Sequence, residues 1–216
     1  MAALTSERLI VFTRFPEPGK TKTRLIPALG KLGAADLQRR MTEYILSAVA
    51  AACKQRWLTI AVYYEGSDAG LMRDWLGPQF IYRPQGSGNL GRRMDNAFQE
   101  AFRTGIEAVV IVGSDIPGIS ANIIQQAFEG LQKNNLVLGP AHDGGYYLIG
   151  IQRAAAHRAN PQLFEGIKWG SDEVLAQTIQ IAGALRLNIQ LLEYLADVDR
   201  PEDLHFWPKL NKSATH

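Results

Sequence analysis

Four short segments of the chain combine glycine with basic or acidic side chains in the way that phosphate and cation chemistry needs. The first is Arg14-Phe-Pro-Glu-Pro-Gly19-Lys20-Thr-Lys22-Thr-Arg24. Gly19 lets backbone amides approach an anion closely. Lys20, Lys22 and Arg24 can neutralise phosphate charge, and the Arg24 guanidinium can fork two oxygens. The glycine spacing is not that of a Walker P-loop, and a solvated basic loop is the alternative reading. The second segment is Gln85-Gly86-Ser-Gly88-Asn89-Leu-Gly91-Arg92-Arg93. Gly86 and its neighbours would let a base or ribose lie against the backbone, with Asn89 reading an edge and Arg93 reaching a phosphate. A flexible connection would use the same glycines.

The third segment, Val112-Gly-Ser114-Asp115-Ile-Pro117-Gly118, sets an acid at the tip of an apolar run, with Ser114 beside it. A carboxylate there is costly unless it meets a donor or a cation, and Mg²⁺ bridging carboxylates to a diphosphate is a common solution. The alternative is a turn whose carboxylate bonds backbone amides. The fourth pairs Gly139-Pro-Ala-His142-Asp143-Gly144-Gly145-Tyr146 with the distant Asp197-Val-Asp199-Arg-Pro-Glu-Asp203. Asp143 is a candidate base for an acceptor hydroxyl, and Asp199 is either a second metal ligand or a helix N-cap. His142, Trp169 and Glu173 fall near the acceptor side with no role that the residues fix.

The elements that must position these segments read as alternating strands and helices around a largely parallel sheet. Strands are expected at Leu9 to Thr13, Leu58 to Tyr63, Phe80 to Arg83, Ala108 to Val112, Leu136 to Leu138, Tyr146 to Ile151 and Ile189 to Tyr194. Ala108 to Val112 is apolar throughout, as in a strand covered on both faces near the sheet centre. A long amphipathic helix carries Leu37, Met41, Ile45, Val49 and Ala52 on its dry side. Further helices are expected at Asp68 to Leu76, Leu90 to Phe102, Ala121 to Lys133 capped by Ser120, Ser171 to Leu185, and Pro201 to Leu210. The four chemical segments each follow a strand, the edge at which open α/β sheets bind ligands.

Composition sets the outer bounds. The 216 residues show no linker and no repeat, which suggests one domain spanning 1–216. With 46% hydrophobic and 20% charged residues the chain can bury a full core. A net charge of +2 gives no field for gripping nucleic acid. No run approaches the roughly 18 apolar residues of a membrane span, and the N-terminus lacks a signal-peptide pattern. The expectation is a cytoplasmic protein without nucleic-acid or membrane partners. The single cysteine, Cys53, can form no internal disulfide and falls on a helix's apolar side, and Asn211-Lys-Ser is a chance glycosylation match.

Together, Val11 to Leu25, Val112 to Gly118, Gly139 to Gly150 and Asp197 to Leu204 resemble the DUF2064 family of glycosyltransferase-A-fold proteins, related to a set associated with arsenosugar biosynthesis. The resemblance covers nearly the whole chain in the family's motif order. It implies an α/β fold with a mostly parallel mixed sheet flanked by helices, the nucleotide over the N-terminal half and the acceptor over the C-terminal half. It also implies that Asp115 and Asp199 hold Mg²⁺ or Mn²⁺. Family glycosyltransferases often carry an Asp-x-Asp motif, whereas position 113 here is Gly. The pattern is similar too to molybdenum-cofactor and phospholactate guanylyltransferases, which complete a single aspartate with a distant residue.

Two reactions follow as expectations, with a non-catalytic nucleotide-binding module as a third reading. In the first, a nucleotide diphosphate sugar passes its sugar to a small-molecule acceptor, with Asp143 as base. In the second, an acceptor phosphate attacks a nucleoside triphosphate, with Lys20 and Arg24 stabilising the departing pyrophosphate.

Overall fold

The computed structural model describes residues 6–159 and 161–207. Strands β1 (Glu7–Arg14), β2 (Thr59–Glu65), β3 (Ile81–Pro84), β4 (Ala108–Gly113), β5 (Leu136–Pro140), β6 (Tyr146–Gln152) and β7 (Ile189–Leu191) form one sheet in the order β3-β2-β1-β4-β6-β5-β7. Only β6 runs against its neighbours; every other pairing is parallel. The expected mixed, mostly parallel sheet is therefore present, with β4 at its middle.

The apolar runs explain the layering. Along β1, Leu9 and Val11 face one core while Ile10 and Phe12 face the other. Along β4, Val110 and Val112 alternate with Val109 and Ile111 in the same way. Helices α1 (Ile26–Cys53), α2 (Ala69–Leu76) and α4 (Ala121–Leu131) close the first face. Helices α3 (Leu90–Arg103), α5 (Arg153–Ala159) and α6 (Val174–Ala184) close the second. Each fully buried Leu, Ile, Val or Phe contributes about 1.5–3 kcal/mol, so both faces are anchored well away from the strand ends.

Several boundaries differ from expectation. Helix α1 starts at Ile26, not near Leu37, and is bent where Gly30 takes φ 70 and ψ 170. Arg153–Ala159 is a helix that the sequence reading leaves unassigned. Strand β7 stops at Leu191 rather than Tyr194, yet Leu192 and Leu195 still donate to the Leu138 and Pro140 carbonyls, so the segment continues beside β5. The last helix is a single 3₁₀ stretch, Pro201–Phe206, and its expected extension to Leu210 lies outside the described residues, as do Asn160 and Asn211. Cys53 ends α1, partly buried against the core. Among the described residues no helix is long and apolar enough to cross a membrane.

A third, smaller cluster bears on the site. Leu25, Ala34, Leu37 and Met41 pack with Val198 and Trp207, and the Trp207 ring meets Tyr44 edge-on at 5.7 Å. It fastens the C-terminal segment to the start of α1.

Candidate functional site

A cleft of about 900 Å³ opens at the C-terminal ends of β4 and β5. Beside it three segments meet at Lys22, which does not itself line the cleft. This residue stands in the left-handed region (φ 50, ψ 44), directly before a 3₁₀ turn at Thr23–Leu25 whose Leu25 is fully buried. That conformation is uncommon for a residue with a Cβ. It turns the lysine inward, and the side chain is only 4% exposed. The ammonium donates to Asp115 Oδ1 at 3.0 Å and to the Val198 carbonyl at 2.6 Å. The Val198 amide in turn donates to the Asp115 carbonyl at 3.0 Å. The β1–α1 loop, the end of β4 and the C-terminal segment are thus tied in a closed triangle. One turn on, Arg24 Nη1 lies 2.5 Å from Asp199 Oδ2, but that arginine is 66% exposed.

Beneath Asp115 lies a buried polar patch. Gln38 Nε2 lies 3.2 Å from Thr13 Oγ1, 3.2 Å from Thr42 Oγ1 and 3.1 Å from Ser114 Oγ. Thr13 and Thr42 share a hydrogen bond of 2.8 Å. Ser114 donates a long bond, 3.4 Å, to Asp115 Oδ1. Gln38 and Thr42 come from α1, so the helix that covers β1 also fixes the turn that carries Asp115. Buried polar groups of this kind are retained only when satisfied.

The cleft is otherwise mostly acidic. Asp143, Asp172, Asp197 and Asp203 line it with Arg200. Asp143 Oδ1 accepts from the Gly145 amide at 2.9 Å, which shapes the turn and leaves its second oxygen free of that turn. Gly144, at φ 86, passes so close to α6 that a Cβ there would stand 2.0 Å from the Asp172 carbonyl oxygen. Asp197 is half-buried, and burial pushes its carboxyl up to about 6 from the ordinary 3.8, with the charge of Asp143 next in effect and those of Asp203 and Asp199 adding to it. Asp203 Oδ2 accepts from the Asp199 and Arg200 amides at 3.1 and 2.8 Å, so Asp203 caps the last turn and the Asp199 side chain is left to Arg24.

Other expected ligands have partners of their own. Lys20 pairs with Glu17 at 2.7 Å, is 72% exposed and does not line the cleft. Neither does Gly19, whose φ of 82 forms the turn that precedes Lys22. Arg93 reaches the Gly88 carbonyl at 3.0 Å and Glu65 at 3.1 Å, and Asn89 caps α3 by accepting from the Arg92 amide at 2.9 Å. Gly86, at φ 80, shapes the same loop. These residues shape the rim beside the cleft, and α3 enters the cleft itself through Leu90. Trp169 lines the cleft above Gly91, where a Cβ would lie 2.4 Å from the indole. His142 stacks on Tyr194 at 5.7 Å, while Glu173 pairs with Lys168 at 3.0 Å.

The sequence reading missed Asp197, Gln38 and Thr42. For Gln38 and Thr42 the signal was present, as polar residues four apart inside the apolar stripe of α1. Asp197 gave none beyond its motif, since its neighbour Asp143 lies in a distant stretch of chain.

A divalent ion shared by Asp115 and Asp199 does not fit the residues as they stand. Each carboxylate already faces a basic side chain, Lys22 or Arg24, that takes the charge such an ion would take. Among the described residues no three carboxylate, imidazole or thiolate groups are placed to hold a metal ion.

A family model described as an uncharacterized protein conserved in bacteria, DUF2064, matches residues 34–171. The crystal structure of a "putative nucleotide-diphospho-sugar transferase" from Desulfovibrio desulfuricans is similar at 35% identity and TM-score 0.88, over 98% of this chain and 90% of that one. A 4-diphosphocytidyl-2C-methyl-D-erythritol synthase from Anaerococcus prevotii shares the fold at 13% identity and TM-score 0.61, over 93% of this chain and 94% of that one. So does a CMP:2-keto-3-deoxy-manno-octonic acid synthetase complexed with CTP, at 12% identity and TM-score 0.58, over 94% and 97%. No curated protein matches the chain in sequence.

Proposed function

Since the chain belongs to the DUF2064 family, we propose that it is a transferase for a nucleotide-activated substrate, and in particular a glycosyltransferase that passes a sugar from a nucleotide diphosphate sugar to a small acceptor. The observation that carries this reading is one cleft that presents the exposed guanidinium of Arg24 together with a set of carboxylates around Asp197. The description of the Desulfovibrio desulfuricans relative as a nucleotide-diphospho-sugar transferase supports it.

In this reading the diphosphate lies against the ends of β1 and β4. Arg24, the exposed partner, leaves Asp199 and forks the phosphate oxygens, where charge builds as the sugar departs. Asp143 was the expected base, yet Asp197 beside it has the basicity that suits the task near neutral pH. We therefore assign the acceptor's proton to Asp197, with its burial first and the Asp143 charge next holding that carboxylate basic. A phosphate acceptor, as in nucleotidyl transfer, would have to approach these carboxylates, and for that reason glycosyl transfer is preferred.

The test is a thermal-shift screen of nucleoside triphosphates, diphosphates and diphosphate sugars, each with EDTA and with Mg²⁺. A ligand at a hundredfold excess over Kd stabilises by about 2.7 kcal/mol. Stabilisation by a diphosphate sugar and not by triphosphates is the expected result. Stabilisation by triphosphates alone would move the assignment to nucleotidyl transfer, and stabilisation by neither would refute a nucleotide site.

A further inference from the structure

We propose that the Lys22 ammonium is the resident counter-ion of Asp115, standing where a divalent ion would stand, so that a diphosphate binds against Arg24 with no metal on Asp115. The diphosphate half rests on the nucleotide reading of the cleft. The counter-ion half rests on geometry alone.

Charge is matched at the tip of β4. Position 113 is glycine, so the turn presents the single carboxylate of Asp115 to the ammonium 3.0 Å away. One negative charge is balanced by one positive charge, so Asp115 has no uncompensated charge to offer a dication.

Access differs sharply between the two basic residues. Arg24, at 66% exposure, can swing off Asp199 into water. Lys22 has no such exit, because its side chain is 4% exposed and its backbone is held in the left-handed region by the turn around buried Leu25. Displacing it would leave the Val198 carbonyl without its 2.6 Å donor and would open the triangle of bonds that joins three segments. An ammonium has three donors. Two are committed, to Asp115 and Val198. Lys22 does not line the cleft, so it neutralises Asp115 from behind, and a metal on that carboxylate would first have to expel the ammonium.

Two measurements test this. In the first, Mn²⁺ is titrated into wild type, Asp115→Asn, Lys22→Met and the double variant, with free Mn²⁺ followed by electron paramagnetic resonance. Wild type and Asp115→Asn should bind Mn²⁺ equally, while Lys22→Met should gain a site that the double variant loses. If Asp115→Asn weakens Mn²⁺ binding by about tenfold or more, the size of effect expected of a residue that serves a metal, the proposal is overturned. This comparison stands even if Lys22→Met fails to fold, which circular dichroism would reveal.

In the second, binding of UDP and GDP is measured by calorimetry with EDTA and with Mg²⁺. Wild-type affinity should be the same in both buffers, and Arg24→Met should lose about 10- to 100-fold, the usual worth of a hydrogen bond to a charged group. Binding that needs Mg²⁺ would overturn the proposal. If neither nucleotide binds under any condition, the nucleotide reading and the diphosphate half fall together, and the Mn²⁺ titration alone decides the counter-ion half.

Discussion

Burial raises the cost of charge on Asp197, and three other aspartates add to it, with Asp143 foremost among them. If it accepts the acceptor's proton, turnover should rise with pH through about 6, the value to which its carboxyl is pushed. Asp143→Asn removes the largest of those neighbouring charges, so the acid limb of the turnover profile should move to lower pH while activity survives. Asp197→Asn should instead lower turnover by roughly a hundredfold to ten-thousandfold, the usual contribution of a positioned base. An acid limb that stays in place in Asp143→Asn would sever the link between the two residues. At this scale the sequence was legible in part. Asp115 and Asp143 announce themselves by standing in glycine-rich turns after strands and Asp199 by its acidic run before Pro201, whereas the partners of Lys22 and Arg24 lie 176 and 175 residues away and no local pattern reports them.

Among the elements, α1 serves both packing and placement. Its apolar stripe was plain in the sequence, but Gln38 and Thr42 interrupt that stripe to bond Thr13 and Ser114 at the strand ends. Gln38→Leu keeps the volume and removes the donor, leaving Ser114 with only its long bond to Asp115. The expected cost is about 1–3 kcal/mol, the range for a buried group left unsatisfied, together with weaker nucleotide binding as the Asp115 turn loosens. Denaturant melts and calorimetry on the one variant check both, and an unchanged midpoint would show that water replaces the amide. The helix Arg153–Ala159 was not legible because its seven residues span barely two turns and give no usable period. The early start of α1 was hidden by Pro27 and Gly30, residues that read as loop although proline suits a first turn.

For the molecule as a whole, the set of carboxylates carries a cost in stability that depends on pH. The folded state holds the Asp197 proton up to about 6, the unfolded chain only to about 3.8. Between those values the native state binds more protons, so this group's stabilisation is complete below pH 4 and is lost as pH rises through 6. Asp197→Asn should therefore be more stable than wild type at pH 7.5, by about 1–2 kcal/mol once solvent screening of a half-exposed group is allowed for. The two should converge near pH 4. Melts at the two pH values check this, and equal stability at pH 7.5 would mean that the carboxylate is not strained. The sheet itself was the most legible feature of all, since an unbroken apolar run such as Leu9-Ile10-Val11-Phe12 declares a strand covered on both faces.

The triangle of bonds at Lys22 also sets an order of events during synthesis. A ribosome adds about 5–20 residues each second, so on the order of 9–35 s separate the emergence of Lys22 from that of Val198. Throughout that interval β1, β2, β3 and β4 can pair on the growing chain, yet the lysine lacks the carbonyl that seats it and Trp207 has not arrived to seal the cluster over α1. The cleft is consequently completed only after the segment from Val198 to Trp207 has docked, and a nascent chain cannot hold substrate there before then.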